Sequence, residues 1–112
     1  MNDDLEGALE HYLKLMDEEA YFEAHEVLEE AWHPLRLNDH PLKNLVKALI
    51  NGAVSFEHLK RNKKDATRKA LRVMESYERH KGLYNDEIAF ADLFKKACLK
   101  IESLKSAHPE VF

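Results

Sequence analysis

Residues 21–33 read Tyr21-Phe22-Glu23-Ala24-His25-Glu26-Val27-Leu28-Glu29-Glu30-Ala31-Trp32-His33, and Pro34 follows. At 100° per residue, Val27, Ala31, Ala24, Leu28, Tyr21 and Trp32 fill one continuous arc. His25 and Glu29, at i and i+4, come next, and Phe22 follows them. Glu23, Glu26, Glu30 and His33 take the opposite side. An apolar arc this wide predicts a central helix. Pro34 should end it, because the residue before a proline avoids the α region.

The rest of the 112-residue chain carries the same helical bias. Ala, Leu, Glu, Lys and Arg fill 59 positions, against nine for Val, Ile and Thr. That composition predicts an all-α fold and argues against a sandwich or barrel. Leu5, Leu9, Tyr12, Leu13 and Met16 mark a first helix over about 4–17, with Asn2 to Asp4 as caps. Residues 34–41 read as a loop, and Pro41 as the first residue of a third helix reaching Arg61. Asn62 and Asp65 resemble a capping pair for a fourth helix over 63–81. Gly82, followed by Leu83, suits a left-handed helix end. Phe90, Leu93, Phe94, Ala97, Ile101 and Leu104 mark a fifth helix over 86–105, and the last residues should fray. The expectation is one domain over 1–112, a compact bundle of about five antiparallel helices.

Within the second helix, an imidazole and a carboxylate beside an apolar arc need partners. Three readings are open: a structural polar network, a metal site, or acid–base chemistry in which Glu29 orients His25. Glu30 and His33 form one Glu-x-x-His on the solvent side, and helical di-iron proteins need two such motifs. In the third helix, Asn44, Asn51, Ser55 and His58 make a polar strip without charge. Such a strip suits a neighbouring element better than bulk water. Asn51 and His58 are therefore expected to approach His25, Glu29 and Trp32 as a polar cluster. His25, Glu29 and His58 would then make a His₂Glu set for a divalent metal, zinc or iron.

Phe22-Glu23-x-His25-Glu26-x-Leu28-Glu29-x-x-Trp32 resembles the signature of a family of small helical prokaryotic proteins, domain of unknown function family 309. Asn51, His58 and Asn62 match later, weaker positions, with Arg61 where the family tends to carry glycine. The resemblance covers about residues 20–80. It implies an all-α fold and a polar cluster from the second and third helices, and it implies no activity.

Charge and cysteine narrow the function classes. The net charge is −4, yet residues 1–33 carry −10 and residues 41–81 carry +7. Lys60, Arg61, Lys63, Lys64, Arg68, Lys69 and Arg72 crowd one turn. That patch lacks aromatic residues for base stacking and belongs to an acidic chain, so nucleic acid is not the expected partner. Charge-complementary self-association or a protein partner fits better. The single Cys98 excludes an internal disulfide and reads as a buried, inert thiol. No apolar run is long enough to span a bilayer, and the acidic Met1-Asn2-Asp3-Asp4 start is unlike a signal peptide, so a cytoplasmic location is expected. The function expected from sequence is a non-enzymatic interaction or scaffold role, with a metal-dependent hydrolytic or oxidative enzyme as the alternative.

Overall fold

A computed structural model describes residues 4–112. Asp4 caps α1 (Leu5–Asp17) by accepting from the Gly7 amide. Any part of Asn2 and Asp3 in that cap, and most of the acidic start, lies outside the described residues. Leu9, Tyr12 and Met16 bury completely along one side of α1. The Tyr12 hydroxyl would be stranded there, and it donates to the Leu49 carbonyl at 2.8 Å.

The second helix corrects the sequence expectation. α2 (Tyr21–Leu37) runs through Pro34 rather than stopping before it. Proline removes one amide bond and crowds the carbonyl four residues back. Pro34 and Glu30 are both exposed, so the carbonyl left without that bond faces water. Leu35 beyond the proline packs against the core, which holds the last turn helical. The true end comes at Asn38, whose amide and side chain both donate to the Pro34 carbonyl.

α3 (Lys43–Arg61) begins with Leu42 at its cap, so Pro41 stands in the preceding turn and not inside the helix. Its buried set runs nearly around its circumference: Leu45, Val46, Ala48, Leu49, Ile50, Ala53 and Phe56. α3 is therefore the central element, packed on α2 on one side and α4 (Ala66–His80) on another. Asn62 and Asp65 do not form a capping pair. Both adopt left-handed backbone (φ 49° and 64°), and Asp65 makes no side-chain cap. Asn and Asp tolerate that region better than most residues. They replace glycine in turning the chain between α3 and α4.

Gly82 does not adopt the left-handed conformation; Lys81–Leu83 form one 3₁₀ turn instead. α5 (Ala91–Ser106) starts five residues later than the apolar register suggested. Asn85, Asp86 and Glu87 tie up a turn first: Asn85 Oδ1 accepts from the Glu87 amide, and Tyr84 donates to Asp86. Phe90 then takes φ 57° at the cap and stands partly exposed, outside the stripe assigned to it. The last residues form a hydrogen-bonded turn rather than fraying. The His108 carbonyl accepts from the Val111 and Phe112 amides. The Phe112 ring sits 5.9 Å from that of the buried Phe56.

One apolar cluster joins all five helices. Gly52 sets how closely α3 approaches α5: a Cβ there would lie 2.6 Å from Ile101 Cδ1. α4 and α5, by contrast, come close along little of their length. Among the described residues no helix is long and apolar enough to cross a membrane.

Candidate functional site

The α2 signature forms a half-buried polar seam beside the core, not a network within it. His25 Nδ1 donates to the Phe22 carbonyl at 2.9 Å, since a carbonyl can only accept. The Phe22 ring stands edge-on to the imidazole at 5.2 Å. These two contacts fix the ring and aim Nε2 at Glu29 Oε1, 3.6 Å away. Lys47 of α3 meets the other carboxylate oxygen at 3.7 Å. The same ammonium lies 4.3 Å from the centroid of the Trp32 ring, and the Arg36 guanidinium lies 5.1 Å from it. Trp32 Nε1 donates to the Lys43 carbonyl at 3.1 Å, which pins the late part of α2 to the start of α3.

His25, Glu29 and Trp32 lie together along this seam. Among the described residues, no side-chain hydrogen bond or ion pair links Asn51 or His58 to them. The later part of the uncharged strip of α3 faces α4: the fully buried Ser55 hydroxyl donates to the Ala70 carbonyl at 2.7 Å. His58 lies in the field of Lys69 and Arg61. Burial first, then these two cations, hold its pKa below the ordinary imidazole value, with a smaller opposing pull from Glu57. α3 has neighbours on both sides, and Ser55 and His58 lie toward the second. Among the described residues no three His, Cys, Asp or Glu side chains gather into a metal-holding group. His25 and Glu29 supply two donors only.

A family model described as a domain of unknown function, DUF309, matches residues 9–70. The chain belongs to the DUF309 family. No curated protein and no solved structure matches it. The DUF309 span runs from within α1 to the first part of α4. It therefore holds the whole His25–Glu29–Lys47–Trp32 seam and leaves α5 outside.

A second polar network lies beyond that span. The buried Tyr77 hydroxyl donates to Glu102 Oε2 at 2.7 Å. Glu102 also pairs with Lys81 at 3.2 Å and Lys105 at 3.3 Å, and both lysines meet Glu78. Burial penalises both carboxylates, yet the bonds they accept outweigh it and lower their pKa values: from Lys105 and Lys81 for Glu78, and from Tyr77 and Lys81 for Glu102. Burial, reinforced by the Glu102 bond, raises that of Tyr77 far above the usual phenol. Helical periodicity alone could not find this set, because its members come from α4, the 3₁₀ turn after it and α5, with no shared motif. Glu78 with Lys81 and Glu102 with Lys105, each at i and i+3, were the local traces.

Proposed function

We propose that the chain is a non-enzymatic interaction or scaffold protein, and that its His25–Glu29 pair serves the α2–α3 joint. The observation that carries this reading is Lys47. It supplies from within the chain the cation that Glu29 and Trp32 would otherwise take from a ligand. A lysine between a carboxylate and an indole face is a self-contained contact. The cytoplasm is the proposed location. The partner is proposed to be a protein or a second copy of the chain, met through exposed charge. Lys63, Lys64, Lys69 and Arg72 are all exposed, whereas Glu23, Glu26 and Glu30 line the exposed side of α2. Light scattering as a function of salt tests self-association. A mass that rises with concentration at roughly 20 mM salt and collapses at 0.5 M supports it. A monomer under both conditions removes the second copy and leaves a heterologous partner.

One observation favours the metal reading as a second possibility. With Nδ1 bonded to a carbonyl, His25 presents Nε2 free and oriented, the arrangement that metal-binding histidines use. Zinc or ferrous iron would then bridge His25 and Glu29 and take further ligands from outside this seam. The Lys47 ammonium opposes a second cation there. Thermal unfolding of tag-free protein with and without zinc separates the two readings. No shift in Tm supports the structural clasp. A rise in Tm that His25→Asn abolishes supports the metal.

A further inference from the structure

Two exposed helix faces of opposite charge lie on different sides of α3. On α2, Phe22, Glu26, Glu30 and Glu23 follow one another within about 100° of the helix circumference, and all four are exposed. Among the described residues these three carboxylates meet no cation. The cations around α2 are engaged elsewhere: Lys47 by Glu29, Arg61 by Glu57, and Lys60 by the Glu19 carbonyl. Arg36 lies over the Trp32 ring. On α4, Leu71, Arg79 and Arg72 span a similar arc, and Lys69 follows them. Glu75 stands within this arc, and Arg68 is held by Asp65. Lys69, Arg72 and Arg79 meet no carboxylate among the described residues, so the face stays positive with Glu75 counted against it. Lys63 and Lys64, exposed in the turn before α4, carry the same sign.

Each face also holds one exposed hydrophobe, Phe22 at 39 % and Leu71 at 42 %. Leu71 lines a groove of about 700 Å³ together with Met74 and Phe112. Of the charged residues in its walls, Glu78 and Lys105 neutralise each other, which leaves Glu75 and Arg79. The groove is thus apolar and near neutral, and the unpaired cations of α4 flank it.

We infer that this α4 groove docks the α2 face of a second copy of the chain. Phe22 is the anchor that enters beside Leu71, and Glu23, Glu26 and Glu30 meet Lys69, Arg72 and Arg79. Exposed ion pairs are each worth little, so the contact needs the aromatic anchor as well as the charges. α2 and α4 pack against different sides of α3, so a copy docked through its α2 leaves its own α4 face open. The contact joins two unlike patches, and copies therefore add head to tail rather than pairing about a two-fold axis. This docking rests on the interaction role proposed above and gives it a partner, a surface and a direction.

Analytical ultracentrifugation of the full chain at roughly 20 mM salt provides the test. The mean mass of the wild type should rise past that of a dimer as concentration approaches roughly 1 mM. Two sets of exposed substitutions then block the chain from opposite ends. Glu23→Gln, Glu26→Gln and Glu30→Gln together leave only the α4 face. Lys69→Gln, Arg72→Gln and Arg79→Gln together leave only the α2 face. Each variant alone should stay monomeric with wild-type circular dichroism. Mixed one to one, the two should form a heterodimer and nothing larger. Phe22→Ala should weaken the wild-type association about tenfold. A wild type that stays monomeric removes both this docking and the second copy as partner. A wild-type mass that stops at the dimer, or undiminished association of either variant alone, overturns the head-to-tail contact and leaves a second copy as partner. A mixture of the two variants that stays monomeric overturns it as well.

Discussion

The α2–α3 and α4–α5 seams solve the same problem in opposite ways. Along α2–α3 the helices meet through apolar residues, and a few polar side chains close over the joint. Along α4–α5 the backbones come close at few points, and polar side chains from Tyr77 to Lys105 span the joint. The first kind leaves a sequence motif, since its members repeat at helical spacing on one element. The second leaves almost none. It also concentrates stability differently: Tyr77 is fully buried with a charged acceptor, whereas Glu29 is more than a third exposed. A polar group is worth most where water is excluded.

The sharpest way to break this contrast is at Tyr77. Tyr77→Ala removes a buried ring and the bridge together and should cost about 3–5 kcal/mol in urea unfolding. A loss below 1 kcal/mol would show that α4 and α5 do not depend on it. Gly52→Ala probes the tight α3–α5 approach, where Ile101 must move for the new methyl. It should cost about 1–3 kcal/mol despite the better helix propensity of alanine, and Ile101→Val should recover part of that loss. Tyr77→Phe keeps the ring and removes the bond to Glu102. A cost of about 1–2 kcal/mol is expected, with a non-zero coupling to Glu102→Gln in a double-mutant cycle.

Acid titration sharpens the comparison further. Glu78 and Glu102 have folded pKa values below their unfolded ones, so they stabilise the fold above the ordinary glutamate range. That contribution disappears as pH falls through the ordinary value of 4.5 toward their folded values. His58 acts at higher pH. Its folded pKa is depressed, so its neutral form is favoured in the fold, and stability drops as pH falls below 6.5. Denaturant midpoints from pH 8 to 3 should show both limbs. Glu102→Gln should flatten the lower limb and His58→Gln the upper. Last and smallest, Glu29→Gln should cost under about 1 kcal/mol and should matter less as salt is added.

These differences mirror how far the sequence could be read. The helical class and the α2 arc were legible because 3.6-residue periodicity is local, and Leu28, Ala31, Phe94 and Ile101 all bury as their spacing requires. The His25–Glu29 pair was legible for the same reason. The place of His58 was not, because a helical wheel shows which residues share a face and not which neighbour that face meets. Pro34 misled because local backbone preference was outweighed by the packing of Leu35. Tyr77 and Glu102 are 25 residues apart, and only the fold brings them together.

The turns hold a different lesson. Glu19, Asp39, Asn62, Asp65 and Phe90 all carry positive φ, and no glycine does. Each helix-to-helix connection therefore turns on a residue whose Cβ opposes the conformation it adopts. Such positions are a reserve for engineering. Glycine at Glu19 or Phe90 relieves crowding without touching the core, and should raise stability wherever that relief exceeds the extra chain freedom of the unfolded state. The connections, more than the helices, are where this fold has room to be made sturdier.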